Sequence, residues 1–218
     1  MQTTHDPEEV LGFWFPDDGH WEDVEQHAAF WSTRMQGGMD EAIQARFRPL
    51  AEDAARCKLD HWAEMPRGRL ALILALDQFP RSLWRGTPGA YAQDIKAARL
   101  ALEGIANGHY HALRRPFERQ FYLIAISHCE GPDHLARMDR LVELSRAQDD
   151  LIVPELEVMR GDALRHVLTV RDVIERFGRH PHRNSILGRI SSPEEDAYIA
   201  TGEFPHNPRA FKRDASSA

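Results

Sequence analysis

Hydrophobic residues along this chain recur mostly three or four positions apart, the spacing that keeps one face of a helix buried. No stretch alternates steadily between apolar and polar residues, and no Asn-Gly or Asp-Gly turn joins two such stretches, so strands are not expected. In DPEEVLGFWF, Asp6 suits a helix cap, Pro7 the first helical position, and the glutamates the positive end of the dipole. Residues 22–35 place Val24, His27, Ala28 and Trp31 on one side. Residues 39–56 do the same with Ile43, Phe47, Leu50 and Ala54, and Pro49 inside that run predicts a kink or a local break.

Residues 66–79 differ, being apolar on every side. Such a helix must be surrounded by others, so it is predicted to be central, with Pro80 ending it at Phe79. Thr87-Pro88 predicts the start of a long fifth helix to about Asn107, with a stripe of Tyr91, Ile95, Ala98, Leu102 and Ile105. A sixth opens at Pro116, a seventh carries Leu135 to Leu144, and an eighth spans about Pro154 to Phe177. Ser192, Pro193 and Glu195 form a capping-box pattern for a last helix. The expected fold is an all-α array of eight or nine antiparallel helices in a single domain, residues 1–204, followed by a polar, fraying tail, 205–218. Residues 94–108 have the small-residue rhythm of a helix-hairpin repeat, although no second copy stands out.

Composition narrows the function classes. The chain has 218 residues, 42% hydrophobic and 28% charged, enough for a sizeable core. A net charge of −7 argues against a general nucleic-acid binder. The longest apolar runs, Leu70–Leu76 and Phe121–Ile126, fall far short of the roughly 20 residues that a membrane span needs. The start MQTTHDPEEV has neither a basic nor an apolar leader pattern, so a cytoplasmic location is expected. Cys57 and Cys129 are too few for a disulfide framework. No phosphate loop, dinucleotide fingerprint or HExxH motif occurs, and no cofactor is expected.

The candidate chemistry lies where the apolar helices end. Asp77, Gln78, Arg81 and Arg85 follow the central helix, with Asp94 close behind. Ser127, His128, Cys129 and Glu130 end the sixth helix, and Arg179, His180, His182, Arg183, Asn184 and Arg189 fill the loop before the capping box. In an antiparallel array alternate helix ends share one rim, so these clusters are expected to converge. Buried carboxylates require partners, and structural ion pairs are one reading of the clusters. A second reading makes Arg81, Arg85, Gln78, Asp94, Arg183, Asn184 and Arg189 the lining of a groove for an anionic small molecule or a peptide carboxylate. A third makes His128, with Glu130 or Asp77, the acid-base pair of a hydrolase-like enzyme. A homo-oligomer without a small ligand is the remaining alternative. His180-x-His182 with His128 and Glu130 is the combination nearest to a metal set, and the arginines around it oppose a cation, so no metal is expected. The tryptophans are expected in the core, with Trp84 the exception because it sits between two arginines.

Three segments carry a family resemblance: LDQFPRSLWRGTPGAYAQD (76–94), FYLIAISHCEG (121–131) and FGRHPHRNSILGRISSPEEDAYI (177–199). They resemble the bacterial domain-of-unknown-function family 924 (DUF924), from VLGFWF at residue 10 to GEF at 204. The resemblance implies an all-helical, tetratricopeptide-like (TPR-like) fold. It also implies that Asp77, Gln78, Arg81, Arg85, Asp94, His128, Glu130, Arg183, Asn184 and Arg189 are the family's recurring polar positions. Ile126 and Cys129 depart from the proline and serine usual around the family's histidine, which argues against a catalytic hydroxyl there. No reaction comes with the resemblance.

Overall fold

The computed structural model describes residues 5–35 and 37–205. Among them are ten α-helices and no strand: α1 (Pro7–Trp14), α2 (Val24–Met35), α3 (Asp40–Ala55), α4 (Pro66–Leu83), α5 (Asp94–Ala106), α6 (His109–Ala112), α7 (Pro116–His128), α8 (His134–Gln148), α9 (Asp162–Phe177) and α10 (Pro193–Thr201). The all-α expectation holds, with a few more elements than the eight or nine read from the sequence. The expected tail falls outside the described residues beyond Pro205. None of the described helices is long and apolar enough to cross a membrane.

The capping chemistry explains where helices begin. Asp6 accepts the Glu8 N–H at 2.9 Å ahead of Pro7. Ser192 and Glu195 close the anticipated capping box, the Ser192 N–H donating to Glu195 at 2.8 Å and the Glu195 N–H to the Ser192 hydroxyl at 3.2 Å.

α4 is the hub. Leu70 to Leu76 are at most 1% exposed, and α1, α3, α5 and α7 pack around it. Aromatic rings of neighbouring helices close over its far end, Phe79 lying 4.9 Å from Phe47 and 6.1 Å from Trp14. At its near end Gly68 meets the Trp62 carbonyl so closely that any Cβ there would collide with it.

Four expectations need correction. α4 does not stop at Phe79 but continues through Pro80 to Leu83. Pro80 is buried and leaves the Leu76 carbonyl without its usual N–H, while the Arg81 guanidinium folds back to donate to the adjacent Asp77 carbonyl. Likewise α3 runs through Pro49 without a local break. Thr87-Pro88 opens only a short 3-10 turn, Pro88–Tyr91; α5 starts at Asp94 and buries Ala97, Leu100, Ala101 and Gly104, leaving Ile95 75% exposed. The expected eighth helix is divided: a 3-10 segment, Pro154–Met159, ends before Gly161, whose left-handed φ of 82° starts α9 afresh.

Candidate functional site: an arginine- and histidine-lined cleft

Four separate parts of the chain meet at one end of the hub. α4 supplies Asp77, Gln78 and Arg81; α5 supplies Asp94 at its first position; α7 supplies His128 at its last; and the loop before α10 supplies Arg183 from the 3-10 turn Pro181–Arg183. The continuation of α4 past Pro80 is what carries Arg81 alongside Asp94. Arg81 grips both Asp94 oxygens, at 2.9 and 3.1 Å, and lies 3.1 Å from Asp77. Arg183 reaches Asp94 at 3.0 Å and donates to the His128 carbonyl at 2.9 Å, capping the end of α7. The Nδ1 of His128 lies 2.9 and 3.1 Å from the two Asp77 oxygens, and Gln78 donates to the same carboxylate. Tyr91 adds its ring face, with the Arg183 guanidinium 4.5 Å and the Arg81 guanidinium 5.7 Å from the centroid.

The electrostatics follow from burial. Asp94 is pushed up to about 6, because loss of solvent outweighs Arg81 and Arg183. Asp77 is also raised by burial, against the pull of Arg81. For Arg81 burial opposes the cation, yet Asp77 and Asp94 prevail and its pKa rises, so the guanidinium keeps its charge and the carboxylates are the weakened acids. His128 is held well below its usual range by burial and by the two arginines. Burial and Arg183 push His182 down to about 3, and burial lowers His166. The imidazoles are therefore neutral near pH 7, and the positive charge here is guanidinium charge.

This cluster forms the floor of a cleft of about 240 Å³. Gln78, Arg81, Arg85, Tyr91, His128 and Arg183 line it, together with Trp14, Arg34, Met35, His166 and His182. Arg85 is held by Asp40 through two bonds of 2.9 and 2.7 Å. Arg34 is different. Its Nε donates to the Trp14 carbonyl at 3.3 Å and its guanidinium lies 3.4 Å above the Phe30 ring, but among the described residues no carboxylate is within ion-pairing distance. Burial lowers its pKa to about 10, with the more distant Asp18 opposing the fall, so it remains charged.

Not every predicted site residue joins the cleft. Glu130 is drawn into a second knot: Arg189 pairs with it, the His180 N–H donates to it at 2.7 Å, and Arg189 also donates to Asn184 at 2.9 Å. Burial opposes ionisation of Glu130, but Arg189 and the His180 N–H outweigh it and its pKa falls. Asp77, not Glu130, is the carboxylate that meets the His128 ring nitrogen. Asn184 and Arg189 belong to the same knot and latch the loop. His180 and His134 both hydrogen-bond the Ser127 carbonyl, at 3.1 and 2.9 Å. Among the described residues no three His, Cys, Asp or Glu converge as a metal set.

The sequence reading missed Arg34, Tyr91 and His166 as cleft residues and treated Trp14 and Trp31 only as core. Phe30 four residues before Arg34, one helical turn away, was the available signal. Trp84, singled out earlier, packs partly buried against the core.

Fold and cleft define an all-α protein whose hub helix ends in a buried arginine–carboxylate knot open to a pocket. The family model described as a bacterial protein of unknown function (DUF924) matches residues 10–203, and the chain belongs to that family. A solved structure, the protein of unknown function ATU0120 from Agrobacterium tumefaciens, is 37% identical with a TM-score of 0.67 over 88% of this chain and 96% of that one. Comparison with curated proteins gives no match.

Proposed function

We propose that the cleft binds a small molecule through a free carboxylate, a peptide C-terminus being one form of it. The observation that carries this reading is Arg34: a half-buried guanidinium facing a pocket, whose Nη1 and Nη2 make no hydrogen bond and have no carboxylate within ion-pairing distance among the described residues, Asp18 acting on it only from farther away. Arg183 and Arg85 support it. Both hydrogen bonds of Arg183 leave from Nη1, and both of Arg85 leave from Nε and Nη2, so each retains a donor for a ligand. Asp77 and Asp94 hold Arg81 and Arg183 in place as an anion approaches.

A tetratricopeptide-like array goes with this reading. What supports it is that successive helices pack as neighbours, α3 on α4, α4 on α5, α7 on α8 and α8 on α9. A reducing, cytoplasmic setting suits the two free cysteines. The test is a thermal-shift and calorimetric screen of carboxylates, comparing wild type with Arg34→Gln. Ligands that stabilise the wild type are expected to lose at least tenfold in affinity in the variant. Equal affinity for both proteins removes Arg34 as the anchor.

One observation favours a second reading. His128 meets Asp77 through Nδ1 and lines the cleft, the arrangement of an acid-base dyad. Turnover of generic esters and phosphoesters that is unchanged in His128→Ala would remove this reading.

A further inference from the structure

A second chamber, of about 360 Å³, adjoins the arginine cleft. Its walls come mainly from α2, α7, the 3-10 segment Pro154–Met159 and α9, and their exposed surface is mostly hydrocarbon, with Trp31, Phe117, Phe121, Leu156 and Met159 in the lining and Gln120 and Gln148 among its polar members. Met35, Ile124 and His166 line both spaces, so the two adjoin across these three side chains. A chamber of this size and polarity is the usual container for the apolar part of a small ligand. Met35 stands at the junction 40% exposed, and its unbranched thioether can adapt to what passes.

Charge and hydrophobicity thus lie side by side, with guanidinium donors in one space and aromatic and aliphatic side chains in its neighbour. A purely polar metabolite would leave the chamber unfilled. A neutral hydrocarbon would leave the excess cation unanswered. We infer that the ligand is an amphiphilic monocarboxylate, its carboxylate at Arg34 and its aliphatic or aryl tail in the chamber between α2, α7 and α9. This deepens the carboxylate-binding reading and rests on it.

The two can fail separately. Butyrate, octanoate, decanoate and decanol are titrated into the protein by calorimetry, with quenching of intrinsic tryptophan fluorescence, lost in Trp31→Phe, as a second readout. Affinity is expected to rise about fourfold per added methylene as the tail enters apolar surroundings. Decanol, lacking the anion, is expected to bind at least tenfold more weakly than decanoate, and Arg34→Gln to abolish that difference. Ala163→Phe, which places a ring into the chamber from α9, is expected to flatten the chain-length series while leaving butyrate unchanged. Carboxylate binding that depends on Arg34 but not on chain length overturns the amphiphile and leaves the carboxylate site standing. Chain-length dependence with decanol equal to decanoate overturns the paired head and tail. Absence of binding by every carboxylate overturns both. If Ala163→Phe does not fold, the wild-type series and the decanol comparison decide alone.

Discussion

Two arginine–carboxylate knots lie at the ends of the same loop, and they use similar groups to opposite effect. In the inner knot, Asp77 and Asp94 face Arg81, Arg183 and the His128 ring, and burial raises both carboxylates. In the outer knot, Glu130 meets Arg189 and the His180 N–H, and its pKa is lowered. The difference lies in water and in geometry. Asp77 and Asp94 are at most 5% exposed, whereas the side chains of Glu130 and Arg189 are 20% and 23% exposed. The outer knot is an ordinary latch. The inner one is a costly arrangement that persists only because every charge has a partner, and it is the one that borders the cleft.

The sharpest way to break this comparison is Asp94→Asn. It leaves Arg81 with one carboxylate and Arg183 with none, both in a desolvated site. Removing one partner of a buried pair costs about 3–5 kcal/mol, and a loss in that range by urea denaturation is expected. A loss below about 1 kcal/mol would make the inner knot no different from the outer.

Acid titration separates the knots next. His27, His134 and His182 are held at about 4, about 4 and about 3, in each case chiefly by burial, with His20, Arg137 and Arg183 adding to the effect in turn. The unfolded chain takes up protons near 6.5 and the folded chain does not, so these groups lose stability as pH falls from about 6.5 towards 4. Asp94 acts in the opposite sense: its folded value of about 6 lies above 3.8, so it gains stability as pH falls through the same window. His128 and His166 are lowered too and Asp77 is raised like Asp94, so the lowered histidines outnumber the raised carboxylates and the midpoint temperature is expected to fall by several degrees between pH 6.5 and 4.5. In Asp94→Asn one counterweight is gone and the fall is expected to be steeper. Equal slopes would show that Asp94 titrates normally.

The outer knot is the milder target. Glu130→Gln removes the charge that holds Arg189 while keeping the shape, and about 1–3 kcal/mol is expected. The same variant should speed limited proteolysis between residues 178 and 192, because the latch is local. Slower cleavage than in Asp94→Asn would reverse the roles assigned here.

Legibility in the sequence divides along similar lines. The apolar run of α4 announced both a helix and its central place, because burial on every side leaves no other reading. The cap of α1 and the capping box of α10 were legible because side-chain chemistry there is local. What escaped was set by partners distant in sequence. Pro80 reads as a terminator, yet Arg81 and the packing around it carry α4 onward. Glu130 stands two residues from His128 and still turns to Arg189, 59 positions away. Arg34 carries no motif; its importance is that among the described residues no acid pairs with it directly, Asp18 acting only from farther away, which only the folded chain reveals. The convergence of Asp77, Arg81, Asp94, His128 and Arg183 was foreseeable from the rule that alternate helix ends share a rim. Which acid meets which base was not.

Arg85 gives the smallest expected effect, and it tests the principle behind the comparison. Its two bonds to Asp40, at 2.9 and 2.7 Å, are as short as those of Arg81 to Asp94. Distance alone would rank the two pairs equal. But the Arg85 side chain is 55% exposed against 18% for Arg81, so water competes for its donors and screens its charge. Arg85→Ala is therefore expected to cost no more than about 0.2–1 kcal/mol, read by the same urea series. Its effect on carboxylate binding should also be smaller than that of Arg34→Gln, because Asp40 already answers its charge. A loss approaching that of Asp94→Asn would mean that pairing geometry, not desolvation, sets the energy of these knots.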